Sequence, residues 1–297
     1  MKYDKSRTDL VFNFFNILLM LVIVFVTLYP FWFATVGSFN EGLDYMRRRG
    51  VSFWPSAFTF DNYRVVFMEH GILNSFEITI YRTIVGTITH LIVTSLFAYA
   101  FSKKYLVGRN FYAVIGLVTM FFSGGLIPAF LLRQYLGLLD TFWVFIIPAM
   151  INFWNVIIFR AFFQEIPDSI SESAKIDGAG EYRIFFNLIV PLSLPVFAVI
   201  ALFVGVFHWN DFWVPMVFTR SERYETIQLF LMSIIRTREA ASALQAQAAG
   251  IGIARGAVNP LTIQMATMIV TTVPIMIVYP FLQKYFVKGI MIGSVKG

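Results

Sequence analysis

Residues 10–36 read LVFNFFNILLMLVIVFVTLYPFWFATV, a run without a single charged side chain. Crossing the ~30 Å hydrocarbon layer of a bilayer takes about 20 helical residues, so this run is long enough to span it. The preceding Lys2, Lys5 and Arg7 carry the charge of a signal-peptide n-region. The run is too long for such a peptide's apolar segment, and no small-x-small site closes it, so it reads as an uncleaved spanning helix. Working outward, runs of similar length recur at Asn74–Phe101, Phe111–Leu132, Phe142–Phe163, Leu192–Phe218 and Leu261–Phe286. Composition agrees: 58% of the 297 residues are hydrophobic and 13% charged, with a mean hydropathy of +0.72. That charged share is about half of what a soluble domain carries. The expectation is an all-α membrane protein with six transmembrane helices in one transmembrane domain, residues 1–297. Pro128, Pro148, Pro195, Pro215, Pro274 and Pro280 lie in or beside the spans and predict kinks.

The net charge of +6 fits basic residues retained at the cytoplasmic ends of helices better than it fits a nucleic-acid partner. With the N-terminus inside, the inner segments are residues 1–8, 102–110, 164–191 and the tail after Phe286. Every lysine then falls inside or at the inner boundary: Lys2, Lys5, Lys103, Lys104, Lys175, Lys284, Lys288 and Lys296. The outer segments carry arginine: Arg47, Arg48, Arg49, Arg64, Arg133, Arg220, Arg223, Arg236, Arg238 and Arg255. Both termini are therefore expected in the cytoplasm.

The inner segment between the fourth and fifth spans reads IPDSISESAKIDGAGEYRIFFNLIVPLSLP over residues 166–195. Pro167 should stop the preceding helix. Ser169 and Glu172 have capping-box spacing, which predicts a short helix starting there. Gly178 and Gly180 should end it, Gly178 in a turn that a side chain would obstruct. A second helix should run from Glu181 to about Pro191. The small residues Ser171, Ser173 and Ala174 are expected on an exposed face that another surface can approach closely. A helix-turn-helix of this kind, residues 165–191, is a natural docking peg on a membrane bundle.

This stretch resembles the EAA loop of permease subunits of binding-protein-dependent ABC importers. The pattern Glu-Ala-Ala, three residues, Gly reads here Glu172, Ser173, Ala174 … Asp177, Gly178, Ala179, followed by Leu188 … Pro191. The Asp-Gly-Ala form is most similar to the carbohydrate-uptake, maltose-type branch. Trp209-Asn210-Asp211-Phe212-Trp213-Val214-Pro215, the opening Tyr29–Trp32 and the tail from Gln283 to Gly297 extend the resemblance over nearly the whole chain. The long loops and tail are most similar to the LplC/YtcP-like subgroup that imports polysaccharide-derived oligosaccharides.

The resemblance implies a type I ABC importer permease fold in the bacterial cytoplasmic membrane. It further implies a second permease subunit, two ATP-binding subunits, an extracytoplasmic solute-binding protein and an oligosaccharide substrate. The permeases are expected to form a heterodimer and to pass the sugar by alternating access. Glu172, Ser173, Ala174, Asp177, Gly178 and Ala179 are the expected ATPase-coupling residues. ATP and Mg²⁺ would be held by the partner ATPase, leaving this chain without a cofactor or metal and without enzyme activity. No Gly-x-x-x-x-Gly-Lys-Ser/Thr is present, and the glycines between Gly250 and Gly256 have the wrong spacing for a phosphate loop.

Sugars need aromatic faces and hydrogen-bonding side chains in a dehydrated pocket. Asn152, Trp154 and Asn155 in the fourth span and Trp209, Asn210, Asp211 and Trp213 in the fifth offer both, and are candidates for the substrate path. Helix–helix hydrogen bonding and interfacial anchoring would use the same residue types. Glu77 and Arg82 are expected to snorkel from near a helix end, and His90 is unusual in a span. The external arginines Arg47–Arg49 and the series from Arg220 to Arg255 admit two readings: attraction of an anionic oligosaccharide or acidic binding protein, or a solvated face partly balanced by Glu41, Asp44, Glu222, Glu225 and Glu239. The second is favoured on sequence alone. Two rivals are weaker. A polytopic membrane enzyme is disfavoured because His70, His90 and His208 form no metal motif and cysteine is absent. A secondary sugar transporter should show an internal repeat and broken helices, and no repeat is legible.

Overall fold

The computed structural model describes residues 7–47, 53–68, 71–248 and 260–294. Lys2, Lys5, Arg48, Arg49, His70, Gly250–Gly256, Lys296 and Gly297 lie outside them, as do the side chains of Arg47, Arg238, Lys284 and Lys288. The described residues are mostly helical and contain no strand; an isolated bridge joins Asn40 and Phe58. Helices α1 (Arg7–Ser38), α2 (Gly42–Arg47) and α3 (Asp61–Met68) precede α4 (Ile72–Ser102), α5 (Arg109–Phe121) and α6 (Leu126–Tyr135). Then come α7 (Trp143–Ile146), α8 (Phe153–Gln164), α9 (Asp168–Ile176), α10 (Glu181–Ile184) and α11 (Val190–Leu192), and finally α12 (Leu194–Asn210), α13 (Trp213–Phe218), α14 (Ile227–Ala248) and α15 (Pro260–Ser294).

Three of the expected spans are long apolar helices: Thr8–Ser38, Ile72–Ser102 and Leu261–Val278. The other three are bent rather than continuous. The third breaks between α5 and α6 at 117°, where Gly125 takes φ +81, so glycine and not Pro128 makes the turn. The fourth bends by 50° between Trp143–Ala149 and α8, just after Pro148. The fifth was expected as one run, Leu192–Phe218, but α12 stops at Asn210 and α13 starts at Trp213. Its other end joins the preceding helix at 83°, beside Pro195, which has no N–H to continue the ladder. The outer segment expected after Thr219 is not a plain connector either, since it contains the 22-residue α14.

The chain forms two compact units, residues 1–70 with 233–272 and residues 71–232 with 273–297. In the first, Asn62 organises the backbone. Its amide donates to the carbonyls of Ser38 (2.9 Å) and Asn40 (2.8 Å) and its oxygen accepts from Thr262 (2.8 Å). Phe39, Phe58, Phe60 and Tyr63 close around this hub. The apolar side chains of α1 are exposed around its circumference, as expected for a helix whose solvent is lipid or another subunit.

In the second unit α4 is the central post, with α8 and α12 packed on it. One apolar core, including Phe101, Phe159, Phe163, Phe185 and Ile200, sits toward the C-terminal end of α4. A smaller one, Leu138, Val144, Phe145, Ile146 and Phe218, sits toward the other end. There Asp140 accepts from the backbone N–H of Ser221 (2.9 Å) and Arg220 (3.0 Å), which hold its carboxyl below the usual carboxylate range. Asn74 donates to the carbonyl of Glu222 at 3.0 Å. Loops 136–142 and 219–226 thus gather at one end of α4, and loops 103–108 and 165–180 at the other.

Candidate functional site

At the Ser102 end of α4, the basic loop meets the segment expected to be a docking peg. α8 ends at Gln164 and α9 begins directly after Pro167, with no side-chain cap. The Ser169–Glu172 capping box therefore does not form. Pro167, with its fixed φ and extended ψ, sets the start one residue earlier, and Asp168 supplies the favourable first-turn charge. α9 closes in a Schellman motif: Gly178 donates to the carbonyl of Lys175 (3.0 Å) and Ala179 to that of Ala174 (2.9 Å). Gly178 takes φ +79, and a Cβ there would meet nothing within 4 Å. Glycine is required for its left-handed backbone and not, as expected from sequence, for lack of room. The second helix runs from Glu181 to Leu192 through a wide turn at Phe185–Ile189, just before Pro191.

The faces of α9 also differ from expectation. Ser171 is buried, and Ala174 and Ala179 pack against the apolar core. The outward face carries Glu172, Ser173 and Asp177, together with two large apolar side chains, Ile176 (87% exposed) and Tyr182 (76% exposed). Both lie on the segment that Glu181 ties to Tyr99 and Tyr105.

Glu181 fixes this segment to α4. Its carboxylate accepts hydrogen bonds from Tyr99 (2.8 Å) and Tyr105 (2.9 Å) and pairs with Lys175 Nζ at 2.7 Å. Partial burial pushes the Glu181 pKa up, but the hydrogen bonds from Lys175, Tyr99 and Tyr105 outweigh it and hold the pKa at about 2. Lys103 lies over the Tyr99 ring, 4.5 Å from its centroid. The sequence reading missed this clamp. Its only signal was a carboxylate, Glu181, directly after Gly180, with Lys175 on the last turn of the helix before Gly178.

The substrate-path candidates divide differently. Asn152 and Asn155 line a cavity of about 330 Å³ with Arg82, His90, Arg133 and His208. His90 Nδ1 lies 2.7 Å from the carbonyl oxygen of Ala149, so it carries the proton and Nε2 accepts from Asn155 at 2.9 Å. Asn152 caps α8 by accepting from the N–H of Trp154 (3.0 Å) and Asn155 (3.4 Å). Arg82 does not snorkel. It is 1% exposed, donates to the Asp211 carbonyl at 3.0 Å and pairs with the Asp211 carboxylate. The other Asp211 oxygen caps α13, accepting from the N–H of Trp213 (2.9 Å) and Val214 (3.2 Å). Asp211 thus reaches the cavity only through Arg82. Trp154, Trp209, Asn210 and Trp213 do not line it; the aromatic wall is Phe145, Phe203 and Phe207. Among the described residues no cluster suited to a metal ion occurs.

The likeness to known proteins extends over the whole chain. Residues 2–292 match the family described as binding-protein-dependent transport system inner membrane component. The polygalacturonan/rhamnogalacturonan transport system permease protein YtcP of Bacillus subtilis is 38% identical over 94% of this chain and 96% of its own length. The protein LplC of the same organism is 38% identical over 99% of this chain and 97% of its own. A chain of a bacterial ABC transporter involved in the import of the acidic polysaccharide alginate superimposes with a TM-score of 0.84 at 31% identity, covering 96% of this chain and 100% of that one. With its long apolar helices, bent spans and helix-turn-helix at one end, this chain belongs to the family of inner-membrane permease components of binding-protein-dependent transport systems.

Proposed function

We propose that the chain is one of two permease subunits of an ATP-driven importer of an acidic, polysaccharide-derived oligosaccharide. An extracytoplasmic binding protein delivers the sugar, and both termini of the chain are cytoplasmic. ATP and Mg²⁺ are held by two partner ATP-binding subunits, so this chain catalyses no reaction itself. The observation that carries the reading is the exposed Ile176–Tyr182 pair on a helix-turn-helix that Glu181 ties to α4. Large apolar side chains left outside on a short, rigid polar segment favour a partner surface. Glu172, Ser173, Asp177 and the turn at Gly178 belong to that face, with Ala174 and Ala179 anchoring it from behind. Closure of the ATP-binding subunits would move this peg, and the clamp would pass the movement to α4. Coupling of this kind needs a contact rigid enough to have two discrete arrangements.

The acidic substrate class is supported by the names of the relatives, one a polygalacturonan transporter and one an importer of alginate. Asn152, Asn155 and Asp211 are the path candidates that retain a connection to the cavity. Trp154, Trp209, Asn210 and Trp213 would serve the path only at a surface shared with the second permease.

Purification of the chain from its native membranes in mild detergent tests the assignment. Recovery with a nucleotide-binding subunit and a second multi-span subunit is expected. Recovery alone, after crosslinking, would point to a secondary transporter or membrane enzyme instead.

A further inference from the structure

The cavity between α4, α6, α8 and α12 has an excess of positive charge and of hydrogen-bond donors. Arg82 is neutralised by Asp211, but among the described residues Arg133 pairs with no carboxylate. Arg133, in the last turn of α6, is half-buried and lines the cavity. Its guanidinium lies 4.1 Å from the centroid of Phe218 and one Nη donates to the Ala129 carbonyl at 3.1 Å. The Nε atoms of Arg82 and Arg133 are buried without a partner, as are both ring nitrogens of His208. Among the described residues no carboxylate lines the cavity, whereas Phe145, Phe203 and Phe207 do. An arginine in an apolar bundle is costly and is a functional candidate by default. A buried unmet donor costs about 1–3 kcal/mol. A ligand that brings acceptor oxygens, one negative charge and a ring with apolar faces answers all three features.

We infer that this cavity is a sugar-acid subsite, in which the carboxylate of one uronate residue of the oligosaccharide pairs with Arg133 during passage. The inference rests on the proposed importer function and adds that this subunit itself selects for charge. About 330 Å³ is at the small end of the range for ligand pockets and suits one sugar residue, not a whole chain.

The test uses the full transporter with its ATP-binding subunits and binding protein, reconstituted in phosphatidylcholine so that no anionic lipid competes. Uptake of a short oligogalacturonate is compared with that of its carboxyl-reduced, neutral counterpart. Wild type should prefer the acid. Arg133→Gln should lower acid uptake about tenfold and leave neutral uptake in place, as loss of one charge-assisted bond predicts, and Arg133→Lys should keep most of the preference. Asn152→Asp gives a second reading independent of Arg133. It retains the helix cap and places a negative charge on the cavity wall, so it should depress acid uptake selectively. Unchanged acid-to-neutral ratios in Arg133→Gln and Asn152→Asp, or equal losses for both sugars, would overturn the subsite while leaving the importer assignment standing. Import of neither sugar by wild type, with ATP hydrolysis intact, would overturn the substrate class and the subsite together.

Discussion

Arg82 and Asp211, 129 residues apart in sequence, form a buried ion pair that joins α4 to the break between α12 and α13. The pair explains how a spanning segment can be interrupted at Asp211 without leaving its backbone unsatisfied. One carboxylate oxygen holds the arginine and the other caps α13. Removing one member strands a buried charge, at a cost of roughly 3 kcal/mol or more. Arg82→Met and Asp211→Asn should therefore each lower the melting temperature of the detergent-solubilised protein. The double variant should lose less than the sum, because neither charge is then left alone. Additive losses would mean that the two residues do not act as a pair.

Gly86 on α4 faces the His208 ring, where an added Cβ would fall 2.7 Å from Cδ2. His208 is fully buried and cannot swing out freely. Gly86→Ala should destabilise by about 1–3 kcal/mol, the usual cost of overpacking. Thermal unfolding beside Gly205→Ala, where a Cβ meets only ordinary contacts from 3.7 Å, makes the comparison; equal stability of the two would contradict the close approach.

At Gly178 the expected penalty comes from the backbone. An alanine at φ +79 costs about 1–2 kcal/mol, while asparagine tolerates the left-handed region better. Gly178→Ala should thus uncouple ATP hydrolysis from uptake more than Gly178→Asn, and Gly178→Asp should express well yet transport poorly. Uptake by a well-expressed Gly178→Asp at the wild-type rate would show that the turn is dispensable.

Glu181 makes the attachment of the peg sensitive to acid. Its pKa is held at about 2, below the ordinary 4.5. A carboxylate with a depressed folded-state pKa contributes stability that is present above the unfolded value and fades as pH falls from about 4.5 toward 2. The melting temperature of wild type should therefore drop more between neutral pH and about pH 4 than that of Glu181→Gln. Parallel pH profiles would rule out the clamp as a contributor.

The spans and the helix-turn-helix at residues 168–192 were legible because their signals are local. Uninterrupted apolar length marks a helix in lipid, and Pro167, Gly178 and Gly180 punctuate the loop whatever packs around it. The breaks at Gly125 and Asp211 were not legible, since an apolar run does not say where a bend is compensated. Arg82 was misread for the same reason: ten residues into a span it resembles a snorkelling side chain until Asp211, far along the chain, is placed beside it. The outward face of α9 was also misjudged. Small residues suggest close approach, but Ser171 and Ala174 make theirs to the bundle, leaving Ile176 and Tyr182 outside. The tryptophans promised a sugar-stacking wall, yet the cavity is walled by phenylalanines from two helices far apart in sequence, Phe145 on α7 and Phe203 and Phe207 on α12.

Because the chain contains no cysteine, a single one introduced at Ser173 reports on one surface alone. Site-specific crosslinking of Ser173→Cys in native membranes is the most direct test of the coupling role. The account predicts a crosslink to an ATP-binding subunit whose yield changes on addition of ATP. No crosslink to such a subunit, while ATP-dependent uptake by the same variant persists, would contradict it.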